Sequence, residues 1–553
     1  MRLPRQKGPS AHGHEDRLVK PAETFGWAAA FCFYGVTGSC WPYALIVATA
    51  AIPLAGPTGT IVAYLAVGGA LSLNALSLAE LSSMAPRPSG QYGWISLFAP
   101  KKVERQASFT VGWLQIIGWN VGTASICVLA AQMIEAMIYL QNPMVFWHRG
   151  LTGLLTVVVA GLAYCINVYA YPILAGLEIA MVFLFFFGFI AFFILAWTMG
   201  PLAARHEVWM NFQNPNLWPS NGVATMVATQ NMAIALISAD STVHMAREIK
   251  DPKRTLPQIM TAGYFINLVM GVAILLSYIA HMGDLEEASN NPSGWLHIGI
   301  LLNITGSTSG TIVANVVLLI LLVACATNAM ATSSRQTWTF ACNAGMPFAR
   351  FFSYLWERPN WEGGIPKRVL GLSFGTCTVL AALFMGSVQA FNIIGSVFAI
   401  AVLSSYILGI GSVCYRRFFY PETIRDLNAP WSLGRFGLPI NLASIGFNSF
   451  LAIMVRIAYL AQCPSLDLTS SKLCFPLVPN PSLAYMNWAS VVLVAVMAFA
   501  ILYWLLRGRH TYRSPAQMGD TGGDGPQGMS GDTEMSSQLV HVDKQSDDIR
   551  YRV

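Results

Sequence analysis

The feature that most constrains this sequence is a series of apolar runs of about 20 residues, separated by short segments that hold most of the charges. A run of about 20 apolar residues is long enough to cross a hydrocarbon layer of about 30 Å as an α-helix. Only 10% of the 553 residues are charged, whereas soluble globular domains have roughly 25%. The runs show no period-two alternation, which a transmembrane barrel would require. The sequence therefore predicts an all-α polytopic membrane protein.

Hydropathy over windows of about 19 residues predicts twelve transmembrane helices within one domain, residues 23–507. The twelve spans are predicted at residues 25–50, 59–84, 108–138, 151–170, 173–199, 222–246, 257–281, 308–332, 368–387, 390–414, 438–461 and 485–506. Residues 1–22 and 508–553 are polar and are predicted to be disordered cytoplasmic tails. The N-terminal segment lacks an apolar signal-peptide core, so the first span is expected to direct insertion.

Lys and Arg residues are concentrated in alternate loops, which predicts the orientation of the chain. The loops after spans two, six, eight and ten each hold at least four basic residues, whereas the loop after span seven holds only acidic charges. By the positive-inside rule both termini are predicted to be cytoplasmic, and we expect the plasma membrane rather than the vacuole. The scattered basic residues give a net charge of +6 without forming one basic domain, which argues against nucleic-acid binding.

The ten Cys residues show no paired metal-ligand spacing, so we predict neither a metal site nor a cofactor. Cys463 and Cys474 share one polar loop that is predicted to be extracellular, where a disulfide and two free thiols are both open alternatives. Asn303 begins an N-glycosylation sequon on the same predicted side.

Span one contains several residues that disfavour an unbroken helix near the bilayer midplane. They are Gly35, Thr37, Gly38 and Ser39, followed by Pro42. Non-helical backbone at this depth is tolerated where it is buried in protein or lines a watery cavity. One interpretation is a half-helix N-terminus that binds a solute carboxylate. The alternative is a kink with close packing through Gly.

Span six contains Asp240 and His244, although a charged side chain within a span costs about 2.5–3.5 kcal/mol on insertion scales. Both side chains are therefore expected to face the interior of the helix bundle. We predict that Asp240 caps the second half of a broken helix, with direct solute contact as the alternative. His244 is predicted to be neutral and hydrogen-bonded near the cytoplasmic end.

An ordered series of motifs resembles one known family. The stretch from Asp240 to Pro257, which includes His244-Met245 and Glu248-Ile249, resembles the D-x-x-x-H-M-x-E-E-I-x-x-P-x-x-x-x-P region of fungal-type amino acid/choline permeases. This family lies within the amino acid–polyamine–organocation (APC) superfamily. Further matches are Leu78 to Ser83, Gly90-Gln91-Tyr92, Ser334-Arg335 and Gly345-Met346-Pro347. The resemblance covers residues 25–506.

The resemblance implies two inverted five-helix repeats followed by two extra helices, the LeuT-like (APC) fold, with the solute between broken spans one and six. It implies a secondary transporter that moves an amino acid, γ-aminobutyrate, choline or a polyamine by alternating access, surrounded by membrane lipids. A non-transporting nutrient sensor of the same fold is the alternative, and no enzyme motif is present. The implied solute-binding residues are Gly35, Val36, Thr37, Gly38, Ser39, Trp119, Asn120, Ile237, Ser238, Ala239, Asp240 and Asn328.

The chain also departs from the family pattern. Ala239 stands where many members carry an aromatic gate, and Arg247 replaces the first acidic residue of the E-E pair. Cys342-Asn343 replace Arg-Asp, so a weakened cytoplasmic gate network is expected. Some relatives place an ion-coupling Lys or His in span five, where Glu178 is this chain's only ionisable residue, and proton coupling through Glu178 is an open alternative.

Overall fold

The helices of the protein follow the predicted spans closely. A computed structural model describes residues 25–520 except 143, 145–148, 215–217, 219, 358–363, 387–388, 428 and 462–488. Its helices are α1 (Trp27–Gly38), α2 (Cys40–Met84), α3 (Gln91–Phe98), α4 (Glu104–Gln141), α5 (Arg149–Tyr169), α6 (Leu174–Met199), α7 (Arg205–Trp209), α8 (Asn221–Leu236), α9 (Pro252–Ala280), α10 (Leu285–Ser289), α11 (Leu296–Thr305), α12 (Thr308–Cys342), α13 (Ala349–Phe352), α14 (Lys367–Gly386), α15 (Gln389–Phe419), α16 (Pro421–Asp426), α17 (Gly437–Ala461), α18 (Ala489–Tyr503), α19 (Arg509–Thr511) and α20 (Pro515–Asp520). Two short antiparallel strands, β1 (Trp356–Glu357) and β2 (Gly364–Ile365), lie between α13 and α14.

Twelve membrane crossings account for these helices. Among the described residues, ten segments are long and apolar enough to cross a membrane. One of them, Trp27–Met84, contains spans one and two, which meet at Gly56 (φ 75°) between Pro53 and Pro57. Span six is not among the ten because α8 ends after 16 residues. The long segment contributes one additional crossing, and α8 contributes another. Together with the ten segments they give the twelve predicted spans.

Packing defines two groups of helices, and α1 joins them because it packs against both α9 and α12. The bundle consists of α1, α2, α8 and α9, in which α2 packs extensively against both α8 and α9. The scaffold consists of α4, α5, α12 and α14, which pack against one another. Spans one, two, six and seven thus pair across the two repeats, as do spans three, four, eight and nine. This pairing is the two-repeat arrangement predicted above.

The outward faces of the spans are apolar. The most apolar 18-residue window of the segment that contains α6 has a mean hydropathy of 2.9, yet only 22% of that window is buried within the protein. Phe183, Phe187 and Trp197 on this helix are each more than half exposed. A water-soluble protein rarely exposes such a patch, whereas a surface in contact with lipid tails requires one.

The hairpin of α10 and α11 fills the loop between α9 and α12, outside the membrane spans. Asn303 in α11 donates from Nδ2 to the backbone oxygens of Met282 (2.9 Å) and Asp284 (3.1 Å). These bonds tie α11 to the end of α9. Glycosylation of Asn303 stays a prediction, and a glycan on Nδ2 would replace at least one of these two bonds.

The segment after span twelve corrects the prediction of a disordered tail from residue 508. Tyr512 is fully buried, and its hydroxyl lies 2.7 Å from Ser108 Oγ. Arg105 Nε donates to Tyr512 O over 3.0 Å. Asn343 accepts from Arg513 N and donates from Nδ2 to Arg513 O, each over 3.0 Å. The prediction was wrong for residues 509–520 because one buried aromatic side chain anchors an otherwise polar segment.

Some sequence predictions fall outside the described residues. They concern the two tails at residues 1–22 and 521–553, and the loop that contains Cys463 and Cys474. The disulfide between these two Cys residues stays a prediction.

Candidate solute site

Span one is interrupted at Ser39. α1 ends at Gly38 and α2 begins at Cys40, and the backbone of Ser39 between them is left-handed, with φ 36° and ψ 39°. A residue with a side chain adopts this conformation only at an energetic cost. Ser39 N donates to Gly35 O over 3.0 Å, which closes the last turn of α1. The predicted interruption of span one is therefore a defined break between two helices.

Span six is interrupted more completely. α8 ends at Leu236, and the chain passes through turns and one 3₁₀ turn, Val243–Met245, before the next α-helix begins at Pro252. Ser241 N donates to Ser238 O over 3.0 Å within this segment. The predicted second helical half of span six is thus absent, and there is no α-helix there for Asp240 to cap.

A small cavity lies between the two breaks. The volume of this cavity is about 30 Å³, which is enough for about two water molecules. Five predicted site residues line this cavity, namely Thr37, Gly38, Trp119, Ile237 and Ser238. The other seven predicted residues do not line the cavity, namely Gly35, Val36, Ser39, Asn120, Ala239, Asp240 and Asn328. Their role in solute binding stays a prediction.

Sequence reasoning missed the other residues of the wall. They are Tyr43, Gly122, Ser125, Ile126, Ile234, Ala235, Cys325, Ala329 and Phe398. Helical spacing could have found some of them, because Gly122 and Ile126 lie one and two turns beyond Trp119 on the same helix face. Phe398 in span ten carried no comparable signal.

Asp240 is the centre of a buried hydrogen-bond network, which corrects its predicted role as a helix cap. Its Oδ2 accepts from Gln91 Nε2 (2.8 Å), Trp119 Nε1 (3.3 Å) and His244 Nε2 (3.3 Å). Its Oδ1 accepts from Tyr406 OH over 2.6 Å. Side chains of α3, α4 and α15 thus supply the donors that a buried carboxylate requires.

The ring of His244 joins this network to the loop before α3. Its Nδ1 lies 2.9 Å from Pro88 O, and its Nε2 lies 3.3 Å from Asp240 Oδ2. Both neighbours are acceptors, and a neutral ring can donate to one of them. The predicted neutral state of His244 stays a prediction.

Glu178 lies behind the cavity wall and is 3% exposed. Its Oε2 accepts from Asn328 Nδ2 over 3.0 Å, and the same amide lies 3.5 Å from Phe33 O. This contact joins α6 to α12 and α1. Among the described residues, no three His, Cys, Asp or Glu side chains converge as metal ligands would.

The amino-acid sequence is similar to a family profile and to several named transporters. The profile of the family described as amino acid permease matches residues 25–497. A protein of Macrophomina phaseolina, named provisionally as an amino acid/polyamine transporter, is 28% identical over 405 residues, which cover 72% of this chain and 87% of that protein. The choline transporter of Saccharomyces cerevisiae is 25% identical over 441 residues, 79% of this chain and 73% of that protein.

The fold is also found among solved structures of transporters. It is a crystal structure of the Eremococcus coleocola manganese transporter in complex with an aromatic bis-isothiourea substituted compound. The TM-score is 0.50 at 14% sequence identity, and the match covers 87% of this chain and 93% of that one. At this identity the likeness concerns the fold alone. The family match extends from the start of α1 into α18, and this chain therefore belongs to the amino acid permease family of APC-superfamily membrane transporters.

Proposed function

We propose that this permease carries an amino acid or amine-type solute, and that the cavity between the two broken spans is its solute site. The observation that carries the proposal is the meeting of Thr37 and Gly38, at the end of α1, with Ile237 and Ser238, after α8, in one cavity wall. Broken helices leave backbone polar groups without intrahelical partners, and a bound solute can supply those partners. The relatives named for amino acids, polyamines and choline support this class of solute.

The position of the cavity also suits alternating access. Residues of α1 and α8, which belong to the bundle, form one side, and residues of α4 and α12, which belong to the scaffold, form the other. Rocking of the bundle against the scaffold would widen the cavity toward one membrane face at a time. A cavity that holds about two waters must widen before a solute can bind.

Proton coupling through Glu178 forms part of the proposal. Its hydrogen-bond partner Asn328 is a neutral amide, and a buried carboxylate beside a neutral partner avoids the cost of burying its charge by holding a proton. Cys325, one turn before Asn328, lines the cavity. Binding or release of the solute at the cavity wall can therefore change the surroundings of Glu178 through α12.

The alternation of basic loops supports an orientation with both termini in the cytoplasm of a plasma-membrane carrier. In this orientation the α10–α11 hairpin faces the outside, and α3 faces the cytoplasm together with the segment after α8. Lipid and the solute are the partners that this proposal requires.

Uptake in a permease-deficient host tests the proposal. The panel contains radiolabelled amino acids, γ-aminobutyrate, choline and polyamines, and uptake is compared with that of a vector control at known surface abundance. We expect uptake of at least one compound, with a rate that falls in the Glu178→Gln variant when a pH gradient drives transport. Binding to the purified protein without any uptake would favour the nutrient-sensor alternative instead.

A further inference from the structure

The helix ends around the cavity differ in charge. Thr37 and Gly38 lie at the carboxyl end of α1, and Ile234 and Ala235 lie in the last turn of α8. The carboxyl end of a helix carries a partial negative charge equivalent to about half an elementary charge. Two such ends face the same cavity, so the backbone of both broken spans favours a positively charged solute group.

The amino end of α2 would favour the opposite charge, but most of its N–H groups are occupied. The first four N–H groups of an α-helix have no partner within the helix. Here Cys40 N donates to Asn267 Oδ1 over 3.2 Å, and Tyr43 N donates to Ser39 O over 3.1 Å. Pro42 has no N–H group. Only the N–H of Trp41, at most, is left in this first turn for a solute carboxylate.

Span six supplies no second amino end beside the cavity. A solute carboxylate is commonly bound at the amino ends of half-helices in transporters with broken spans. After α8 ends at Leu236, the described chain contains no α-helix before Pro252. The site therefore has two negative helix ends and one positive end that is largely closed. At the negative ends, the carbonyls of Gly35, Val36, Thr37 and Ala233 already accept hydrogen bonds within the protein, whereas no such bond occupies Gly38 O among the described residues.

Asn267 of α9 is the residue that closes the positive end. Its side chain is 3% exposed and lies against the glycines of span one, with Cγ 3.6 Å from where a Cβ of Gly38 would lie. Asn267 Nδ2 donates to Gly263 O over 3.0 Å, which turns Oδ1 toward the N–H of Cys40. A neutral amide thus occupies one backbone donor at the amino end of α2.

The side chains of the wall agree with this charge preference. Tyr43, Trp119 and Phe398 contribute aromatic rings, and aromatic faces attract organic cations, above all quaternary ammonium groups. Among the described residues that line the cavity, none is a Lys or an Arg that could pair with a carboxylate.

We propose that the solute is a small organic cation without a carboxylate, and that Asn267 excludes zwitterionic amino acids by occupying the N–H of Cys40. This inference rests on the proposed function, because it assigns the solute class of the same cavity. It distinguishes between the solutes that the sequence left open: choline and polyamines fit, whereas amino acids and γ-aminobutyrate do not.

Matched pairs of compounds test the inference. Choline and glycine betaine share a trimethylammonium group, and choline has a hydroxymethyl group where betaine has the carboxylate. Putrescine is ornithine with a hydrogen in place of the carboxylate. Uptake of each compound, and thermal stabilisation of the purified full-length protein by each, are measured side by side. We expect the wild type to prefer the member without the carboxylate by about tenfold or more in at least one pair, the effect of roughly one charge-assisted hydrogen bond.

Two variants of Asn267 distinguish its hydrogen bond with Cys40 N from its packing against span one. Asn267→Ala frees the N–H of Cys40 and should lower the preference about tenfold by improving the carboxylate-bearing member. Asn267→Asp keeps an acceptor oxygen beside Cys40 and should retain the wild-type preference. Surface abundance is measured for both, and the wild-type preference decides the inference even where Asn267→Ala does not reach the membrane.

The outcomes separate the inference from the proposed function. Wild-type preference for glycine betaine or ornithine would overturn the inference while leaving transport intact, as would an unchanged preference in Asn267→Ala at normal abundance. Thermal stabilisation by choline or putrescine without uptake would overturn transport and leave the solute assignment standing. Failure of all four compounds in both assays would overturn the inference.

Discussion

Glu248 and Arg335 form a buried ion pair in which Glu248 Oε1 lies 3.0 Å from Arg335 Nε, with neither side chain more than 4% exposed. Tyr171 adds to the pair, because its hydroxyl donates to Glu248 Oε2 over 2.7 Å. The backbone oxygen of Glu248 accepts from Phe25 N over 2.9 Å. The pair therefore ties the start of span one and the segment after α8 to the scaffold helix α12.

The expectation that the family's cytoplasmic gate network is weakened in this chain stays a prediction. The expectation rested on Arg247 and on Cys342-Asn343, which replace charged residues of the family pattern. Glu248 and Arg335 are the members that the chain retains, and they pair directly. Arg247 instead lies over the ring of Trp338, with its guanidinium carbon 5.4 Å from the ring centroid.

Neutralising one member of this pair should cost more stability than neutralising both. Glu248→Gln leaves Arg335 charged and buried, and such a change costs about 3–5 kcal/mol in folded proteins. The variant that combines Glu248→Gln with Arg335→Gln buries no charge and should recover a substantial part of the loss. Thermal unfolding of the purified proteins measures both effects. Additive losses in the double variant would show that the two side chains are not energetically coupled.

Asp240→Asn should impair the protein, because the side chain accepts from four side-chain donors. An amide has one acceptor oxygen, and its NH₂ group would face donors, so at least one buried donor loses its partner at a cost of about 1–3 kcal/mol. Asp284→Asn is a matched control, since Asp284 is exposed and caps α10 by accepting from Glu286 N over 2.8 Å. Asn caps a helix almost as well as Asp. Equal uptake and surface abundance in the two variants would contradict the network at Asp240.

The spans could be predicted because hydropathy is a local property of the sequence. A run of apolar residues must cross the lipid wherever it stands in the chain, and the breaks were visible as Gly and Pro near the middle of span one. The positions of Thr37, Gly38, Ile237 and Ser238 in the cavity wall follow from those breaks.

The partners of the site residues could not be predicted in the same way. Asp240 contacts Gln91, 149 positions earlier, and Tyr406, 166 positions later. Nothing local marks Tyr406 as the donor, because any Tyr in a membrane span is more often a packing or interface residue. The buried anchor Tyr512 was missed for the opposite reason, since it lies next to a polar tail whose composition resembles disorder.

The α10–α11 hairpin should lose stability in acid through His297. Burial lowers the pKa of His297 from 6.5 to about 4, although a hydrogen bond with Asn315 partly opposes the shift. Between these two pKa values the unfolded hairpin binds a proton that the folded hairpin does not, so stability falls as the pH falls. The loss should be about 2 kcal/mol between about pH 7.5 and about pH 5.

Hydrogen exchange of the α11 amides at the two pH values measures this loss, after correction for the intrinsic exchange rate. His297→Phe has no titrating ring and should show little pH dependence. The same pH dependence in His297→Phe and in the wild type would assign the effect to another group.

Single introduced Cys residues should report opposite sides of the membrane at Lys253 and Glu286. Lys253 lies in the first turn of α9, within a basic loop, and Glu286 is an exposed residue of the acidic α10. By the positive-inside rule, a membrane-impermeant maleimide should label Glu286→Cys in intact cells and Lys253→Cys only after permeabilisation. The wild type gives the background from native thiols such as the exposed Cys165. The reverse labelling pattern would invert the proposed orientation.

Gly38→Leu should abolish uptake while the protein still reaches the membrane. A Cβ at Gly38 would lie 3.4 Å from Ser238 Oγ, an ordinary contact, so Gly38→Ala should be tolerated. The longer Leu side chain must extend into a cavity of about 30 Å³ and exclude the solute. Gly69→Leu is the matched control, because Gly69 in α2 is exposed and has no atom within 4 Å of its Cβ position. Surface abundance and initial uptake are measured together for the three variants. Loss of Gly38→Leu from the surface would mean that Gly38 serves helix packing, and normal uptake at normal abundance would remove it from the solute site.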